Sequence, residues 1–158
     1  ERAAQAIDML AEIGIHCLIH QPRYNIFDRK PEQGLYHVLA EKGVGAIPFS
    51  PLAQGLLTSR YLSGIPADSR AAGKSVFLNP EQISQETLDK IARLNAIAQA
   101  RGQSLAQMAL AWLHKDPVTS SVIIGASRLS QIKDCVKAQD AAPFSAEELK
   151  AIDEAAGF

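Results

Sequence analysis

The chain has 158 residues, 47% of them hydrophobic and 21% charged, with a formal net charge of -1. That composition fits one sizeable buried core and excludes a disordered majority. It also excludes charge-driven attraction to nucleic acid or anionic membrane, and neither a bilayer-spanning apolar run nor a signal-peptide pattern is visible.

Glu1 to Gly14 reads as a helix, with Ala4, Ile7, Leu10 and Ala11 on one face and Gly14 as its stop. The pattern starts at the first residue, without an initiator Met or a preceding cap, so the chain is expected to have lost its beginning. Cys17 to Ile19 is a short apolar run between Gly14 and Pro22. Glu32 to Lys42 has Leu35, Val38 and Leu39 at helical spacing and ends at Gly43, a C-cap residue type. Val44 to Phe49 is a second apolar run, closed by Ser50-Pro51. Residues 58 to 83 are rich in Ser, Gly, Pro and arginine and predict a long loop.

Thr87 to Gln99 is amphipathic through Leu88, Ile91, Leu94 and Ile97. Ser104 to His114 presents Leu105, Met108, Ala109 and Trp112, and Asp116-Pro117 breaks it. Val122 to Ile124 is the third apolar run, followed by a helix over Leu129 to Ala138. The last helix opens at Ser145 with the capping box Ser145-x-x-Glu148. Short apolar strands alternating with helices predict an α/β fold with parallel pairing. Their unbroken apolar character predicts burial on both faces. Cys17 and Cys135 lack CxxC spacing and read as buried reduced thiols of a cytoplasmic protein.

The unusual chemistry follows the strand ends: Gln21 to Tyr24, Phe49 to Gln54, and Gly125 to Arg128. Part of a (β/α)₈ barrel accounts for this better than a small open sheet, because barrels build their sites from those loops. Gly125 and Ala126 let backbone approach a ligand, and Ser127 is suited to cap the following helix. The free N–H groups there and Arg128 suit a phosphate. Arg60, Arg70 and Lys74 could close over a pyrophosphate or 2′-phosphate from the long loop. Gln21 offers an amide to a carboxamide, and Phe49 a ring for stacking. His16 and His20 bracket a strand and make no usual metal pair. Gly43-Val44-Gly45 precedes a strand, so it is no dinucleotide fingerprint. Tyr24, Asp28 and Lys30 read as exposed turn residues and are not nominated as catalysts.

The segments HQPRYNIFDR, PFSPLAQGLLTSRYLSGIPADSR, LAQMALAWLHKDPVTSSVIIGASRLSQIKD and SAEELKAIDE together resemble the aldo-keto reductases. The likeness is to the branch holding bacterial L-glyceraldehyde 3-phosphate reductases and potassium-channel β subunits. It covers essentially all of this chain and the second half of the family's barrel. The resemblance implies the C-terminal half of a (β/α)₈ TIM barrel, strands six to eight with their helices, binding extended NADP(H). By the same resemblance Gln21 would hold the nicotinamide carboxamide and Phe49 would stack near the ring. Ser50, Pro51, Leu52, Ala53 and Gln54 would follow the pyrophosphate, with Arg60 and Arg70 clamping phosphates. Gly125, Ser127 and Gln131 would hold the 2′-phosphate end, with Asp134 and Cys135 near the adenosine. Cys135 stands where the family usually has asparagine, and Gln131 where other branches use arginine.

The family's catalytic tyrosine, lysine, aspartate and histidine belong to the first half of its barrel, so this chain alone is expected to be inactive. The expected partners are a small carbonyl substrate, the first half of the barrel, and further copies of the chain, with no nucleic acid and no membrane insertion. The rival expectations are a cofactor-binding regulatory subunit and a non-redox phosphate-binding half barrel.

Overall fold

The computed structural model describes residues 2–62 and 83–158. Among them the helices are α1 (Arg2–Glu12), α2 (Leu35–Glu41), α3 (Gln85–Ala100), α4 (Leu105–Leu113), α5 (Leu129–Val136) and α6 (Ala146–Ala156). The two short strands are β1 (Ile19–His20) and β2 (Gly45–Ala46), which pair in parallel.

The helix ends follow their sequence signals. Ser104 Oγ accepts from Gln107 N at 3.2 Å, while Gln107 Oε1 accepts from Ser104 N at 3.1 Å. Ser145 and Glu148 make the same reciprocal pair at the start of α6. Gly43 closes α2 with φ 65°. The predicted helix over Glu32 to Lys42 starts later. Gly34 has φ 111°, outside helical range, and separates a 3₁₀ turn at Lys30–Glu32 from α2.

The third predicted strand, Val122 to Ile124, is displaced. Parallel pairing with β2 begins at residue 118: Ala46 N donates to Val118 O at 2.7 Å and Ser120 N to Ala46 O at 2.9 Å. Further on, Ile123 N donates to Pro48 O at 2.9 Å. Three steps on one side therefore match two on the other, an inserted residue like that of a β-bulge. The insertion interrupts the ladder, so no regular strand forms. Gly45 lies in β2 itself; a Cβ there would sit 2.2 Å from Ser120 Oγ, so close approach of the two segments explains the glycine.

The expectation of two buried faces is corrected. Pro22, Tyr24, Val44, Ala46, Pro48 and Thr119 are buried on the helix-covered side. On the other side Ile19 is 51%, Phe49 38% and Ile123 40% exposed. Those side chains are only partly covered among the described residues, so an apolar run need not mean two buried faces.

The core centres on α4, where every residue except Gln107 is buried, as expected for a helix apolar on nearly all sides. α3 packs against both α4 and α6. Tyr24 is 1% exposed, which corrects its reading as an exposed turn residue. Its ring lies 5.1 Å from Tyr36 and 5.3 Å from Trp112, and its hydroxyl donates to Glu32 Oε1 at 2.5 Å. Asp28 is likewise half-buried and pairs with Arg23 at 3.2 Å.

Burial, then the Glu32 carboxylate, raises the Tyr24 phenol far above its ordinary value. Burial raises Tyr36 to about 12, against the opposing pull of its bond with Thr119 Oγ1. Both groups hold their protons more tightly folded than unfolded. Their contribution is therefore complete below about pH 10 and is lost as pH rises through the folded values. Alkaline titration at 295 nm should show these two tyrosines ionising late, together with unfolding; ionisation of all tyrosines near pH 10 with the fold intact would contradict this.

Candidate functional site

The parallel ladder extends beyond the two-residue strands and carries the site loops with it. Gly45 N donates to Leu18 O, Ile47 N to His20 O and Phe49 N to Pro22 O, each at 2.9 Å. Arg23 and Phe49 are bridge partners, and Ile19 pairs with Gly45. Side chains alternate along a strand, so Ile19, Gln21 and Arg23 share a face with Gly45, Ile47 and Phe49. Gln21 and Phe49 thus stand together on the open side, at the C-terminal ends of adjacent strands. The third segment runs parallel to them, and Ser127 follows four residues after Ile123, a reach of at most about 14 Å.

The loop after β2 is backbone-strained. Ser50, Ala53 and Gln54 have φ values of 55°, 47° and 60°, a region that non-glycine residues seldom enter. Such strain concentrates at functional sites and survives only when neighbours impose it. Here Ala53 N donates to Ser50 O at 3.1 Å, Asn25 Nδ2 donates to the same oxygen at 2.9 Å, and Gln54 Nε2 donates to Ser50 Oγ at 3.3 Å. Pro51 and Ala53 are buried and Leu52 packs against the core, leaving Ser50 and Gln54 half-buried above them.

Sequence reasoning missed Asn25, which is 1% exposed. Its Oδ1 accepts from Phe27 N at 2.9 Å and Asp28 N at 3.0 Å. The available signal was an asparagine opening a turn, a residue type that binds its own backbone two residues on.

At the third loop Ser127 does not cap the helix. Arg128, extended at φ -140°, occupies that position, and Gln131 closes the turn instead. Gln131 Oε1 accepts from Ser127 N at 2.8 Å, Arg128 N at 3.1 Å and Ser127 Oγ at 3.3 Å. Serine is the commoner cap by residue type, but the longer Gln131 amide one turn on takes the N–H groups here. The two N–H groups still converge on one acceptor, as an anion would require. A Cβ at Gly125 would meet nothing within 4 Å, so the fold makes no demand on that glycine and the space above it stays open.

Asp134 ties α5 to α4: its carboxylate accepts from Gln107 Nε2 at 2.6 Å and Ser104 Oγ at 3.1 Å. Cys135 beside it and Cys17 are both half-buried, which corrects the expectation of buried thiols; burial, then Asp134, raises the Cys135 thiol. Arg60 is exposed on a 3₁₀ turn (Ser59–Tyr61) whose Tyr61 is anchored in the core. Arg70 and Lys74 lie outside the described residues. Among the described residues no group of three or more His, Cys, Asp or Glu is placed to hold a metal, and no helix is long and apolar enough to cross a membrane.

An amide, an exposed ring, a strained loop and a pair of convergent N–H groups can together accept a long ligand with a flat polar ring at one end and an anion at the other. The chain matches the Aldo/keto reductase family over residues 1–156. It is 47% identical over 158 residues to an L-glyceraldehyde 3-phosphate reductase of Escherichia coli (strain K12), covering 98% of this chain and 46% of that protein. It is 41% identical over 135 residues to a probable voltage-gated potassium channel subunit beta of Oryza sativa subsp. japonica (84% and 41% covered), and 40% over 145 residues to its Arabidopsis thaliana counterpart (90% and 43%). The chain spans less than half the length of these curated relatives. By sequence, this chain belongs to the aldo/keto reductase family.

Proposed function

We propose that the protein reduces small aldehydes and ketones, phosphorylated trioses among them, with NADP(H). In this reading residues 1–158 are the C-terminal half of a (β/α)₈ barrel and supply most of the cofactor site. The observation that carries it is the placement of Gln21 and Phe49 on one open face, at the C-terminal ends of β1 and β2, next to the parallel segment that leads on to the Ser127–Arg128 turn. The donor set fits a dinucleotide phosphate. Gln21 would hold the carboxamide and Phe49 would back the nicotinamide; Ser50 to Gln54 with Arg60 and Arg70 would follow the pyrophosphate, and Gly125, Ser127 and Gln131 would take the 2′-phosphate end, with Asp134 and Cys135 near the adenosine. Bound NADPH would supply the hydride. This chain's residues orient the ring and exclude water behind it; the proton donor comes from the first half of the barrel.

The similarity to potassium channel subunits supports a second reading, a cofactor-binding regulatory subunit. The two separate in one experiment on the full-length protein. NADPH fluorescence should change on binding, and 340 nm absorbance should fall when DL-glyceraldehyde is added. Binding without turnover on any small aldehyde favours the regulatory subunit, and absence of binding overturns both. A cytoplasmic location belongs to the same reading.

The open apolar face makes a further prediction. The 158 residues expressed alone should self-associate or bind the first half of the barrel, since unpaired strand edges and exposed Ile19 and Ile123 favour it. Sedimentation showing a monodisperse, cooperatively melting monomer would contradict this.

A further inference from the structure

Asn25 touches no predicted ligand, yet it joins two of the three site loops. Its Oδ1 accepts from Phe27 N and Asp28 N and so builds the turn after β1. Its Nδ2 crosses to Ser50 O at 2.9 Å, 25 residues away. Ser50 sits at φ 55°, a conformation its neighbours must impose, and Asn25 adds a bond from outside the loop to those that Ala53 and Gln54 make within it. Asn25 is itself held, because the preceding Tyr24 is wedged between Tyr36 and Trp112. The amide therefore passes the rigidity of the core to the residue that follows Phe49.

We propose that Asn25 is a positioning residue for the cofactor, presetting Ser50 and the Phe49 ring before the ligand arrives. This rests on the NADP(H) reading above. Preorganisation acts on affinity, since a loop already in its bound shape loses less freedom on binding.

The two functions of Asn25 can be separated chemically. Asn25→Asp keeps the oxygen that accepts from Phe27 and Asp28, but replaces the donor to Ser50 with a second acceptor. The new carboxylate would lie beside Asp28, whose partner is Arg23 at 3.2 Å, and burial with that like charge raises its pKa. Once protonated, it can donate to Ser50 O again. The experiment titrates NADPH by fluorescence into full-length wild type and Asn25→Asp at pH 8 and pH 5.5, with melting followed in parallel. At pH 8 the variant should bind at least about 10-fold more weakly, the loss expected for one charge-opposed hydrogen bond. At pH 5.5 the gap to wild type should narrow.

Should Asn25→Asp fail to fold, Asn25→Ser substitutes for it, because its hydroxyl can still serve the local turn but is too short to reach Ser50. That variant should show the loss at both pH values. Wild-type binding with an equal affinity in the variants, or a loss that tracks melting and ignores pH in Asn25→Asp, overturns the positioning role. A wild type that binds no NADPH overturns the cofactor reading, and this inference with it.

Discussion

Replacing Trp112 with alanine should lower the unfolding free energy by roughly 3–5 kcal/mol, the range for emptying a buried aromatic site. The side chain is 0% exposed and lies where α4 meets the segment after β1. Tyr24 packs at 5.3 Å, and two cations cap the indole, the Arg29 guanidinium at 4.7 Å and Lys115 Nζ at 3.9 Å. The indole Nε1 has no hydrogen-bond partner among the described residues, so the loss is one of packing and cation–π contact alone. Trp112→Phe should therefore cost much less than Trp112→Ala. Urea unfolding followed by circular dichroism, which does not depend on the missing tryptophan, measures both. A cost below about 1 kcal/mol for the alanine variant would mean the site collapses freely or is not the centre of the core.

The second large effect concerns Arg29, whose side chain is 7% exposed. Its guanidinium lies between Trp112 and Phe158, 4.7 and 4.4 Å from the ring centroids, and approaches Asp153 Oδ1 to 2.7 Å. That approach is close but outside hydrogen-bond alignment. Removing a partner from a buried pair strands a charge, whereas replacing the charge with an apolar chain of similar volume is often neutral. Asp153→Ala should therefore destabilise by about 3 kcal/mol, the low end for such pairs because the aspartate is 42% exposed. Arg29→Met should stay within about 1 kcal/mol of wild type. The reverse ranking in urea unfolding would show that the cation itself holds the C-terminal end of α6 in place.

The contrast between these two sites and the rim shows what the sequence could reveal. Helix limits were legible where a local residue enforces them, as at Ser104, Ser145 and Gly43. They were misread at Gly34, because an isolated glycine in a helical pattern is usually tolerated and only the backbone shows its φ of 111°. The inserted residue near Ser121 is invisible in the sequence, since a bulge depends on the register with β2, whose Ala46 lies 75 residues earlier. Burial on both faces was over-read for a related reason: apolar runs state a preference, and another part of the fold must satisfy it.

At the site, residue types point to Gln21 and Phe49, and the register puts them on one face, Phe49 opposite Arg23 and Gln21 one pair earlier on that face. The partners of Ser127 and Asp134 were not legible. Each is decided by a longer side chain, Gln131 in one case and Gln107 in the other, whose reach sequence spacing does not weigh. Asn25 escaped notice because its importance comes from a crossing to Ser50, 25 residues on.

The central claim is that the ends of β1, β2 and the parallel segment at 118–123 together hold one extended NADP(H) molecule. Titrating full-length Gln21→Ala, Phe49→Ala and Ser127→Ala with both NADPH and 2′,5′-ADP tests it most directly. The account predicts that Ser127→Ala weakens both ligands, while Gln21→Ala and Phe49→Ala weaken NADPH and leave 2′,5′-ADP unchanged. Equal loss of both ligands in all three variants, or no loss in any, would contradict it.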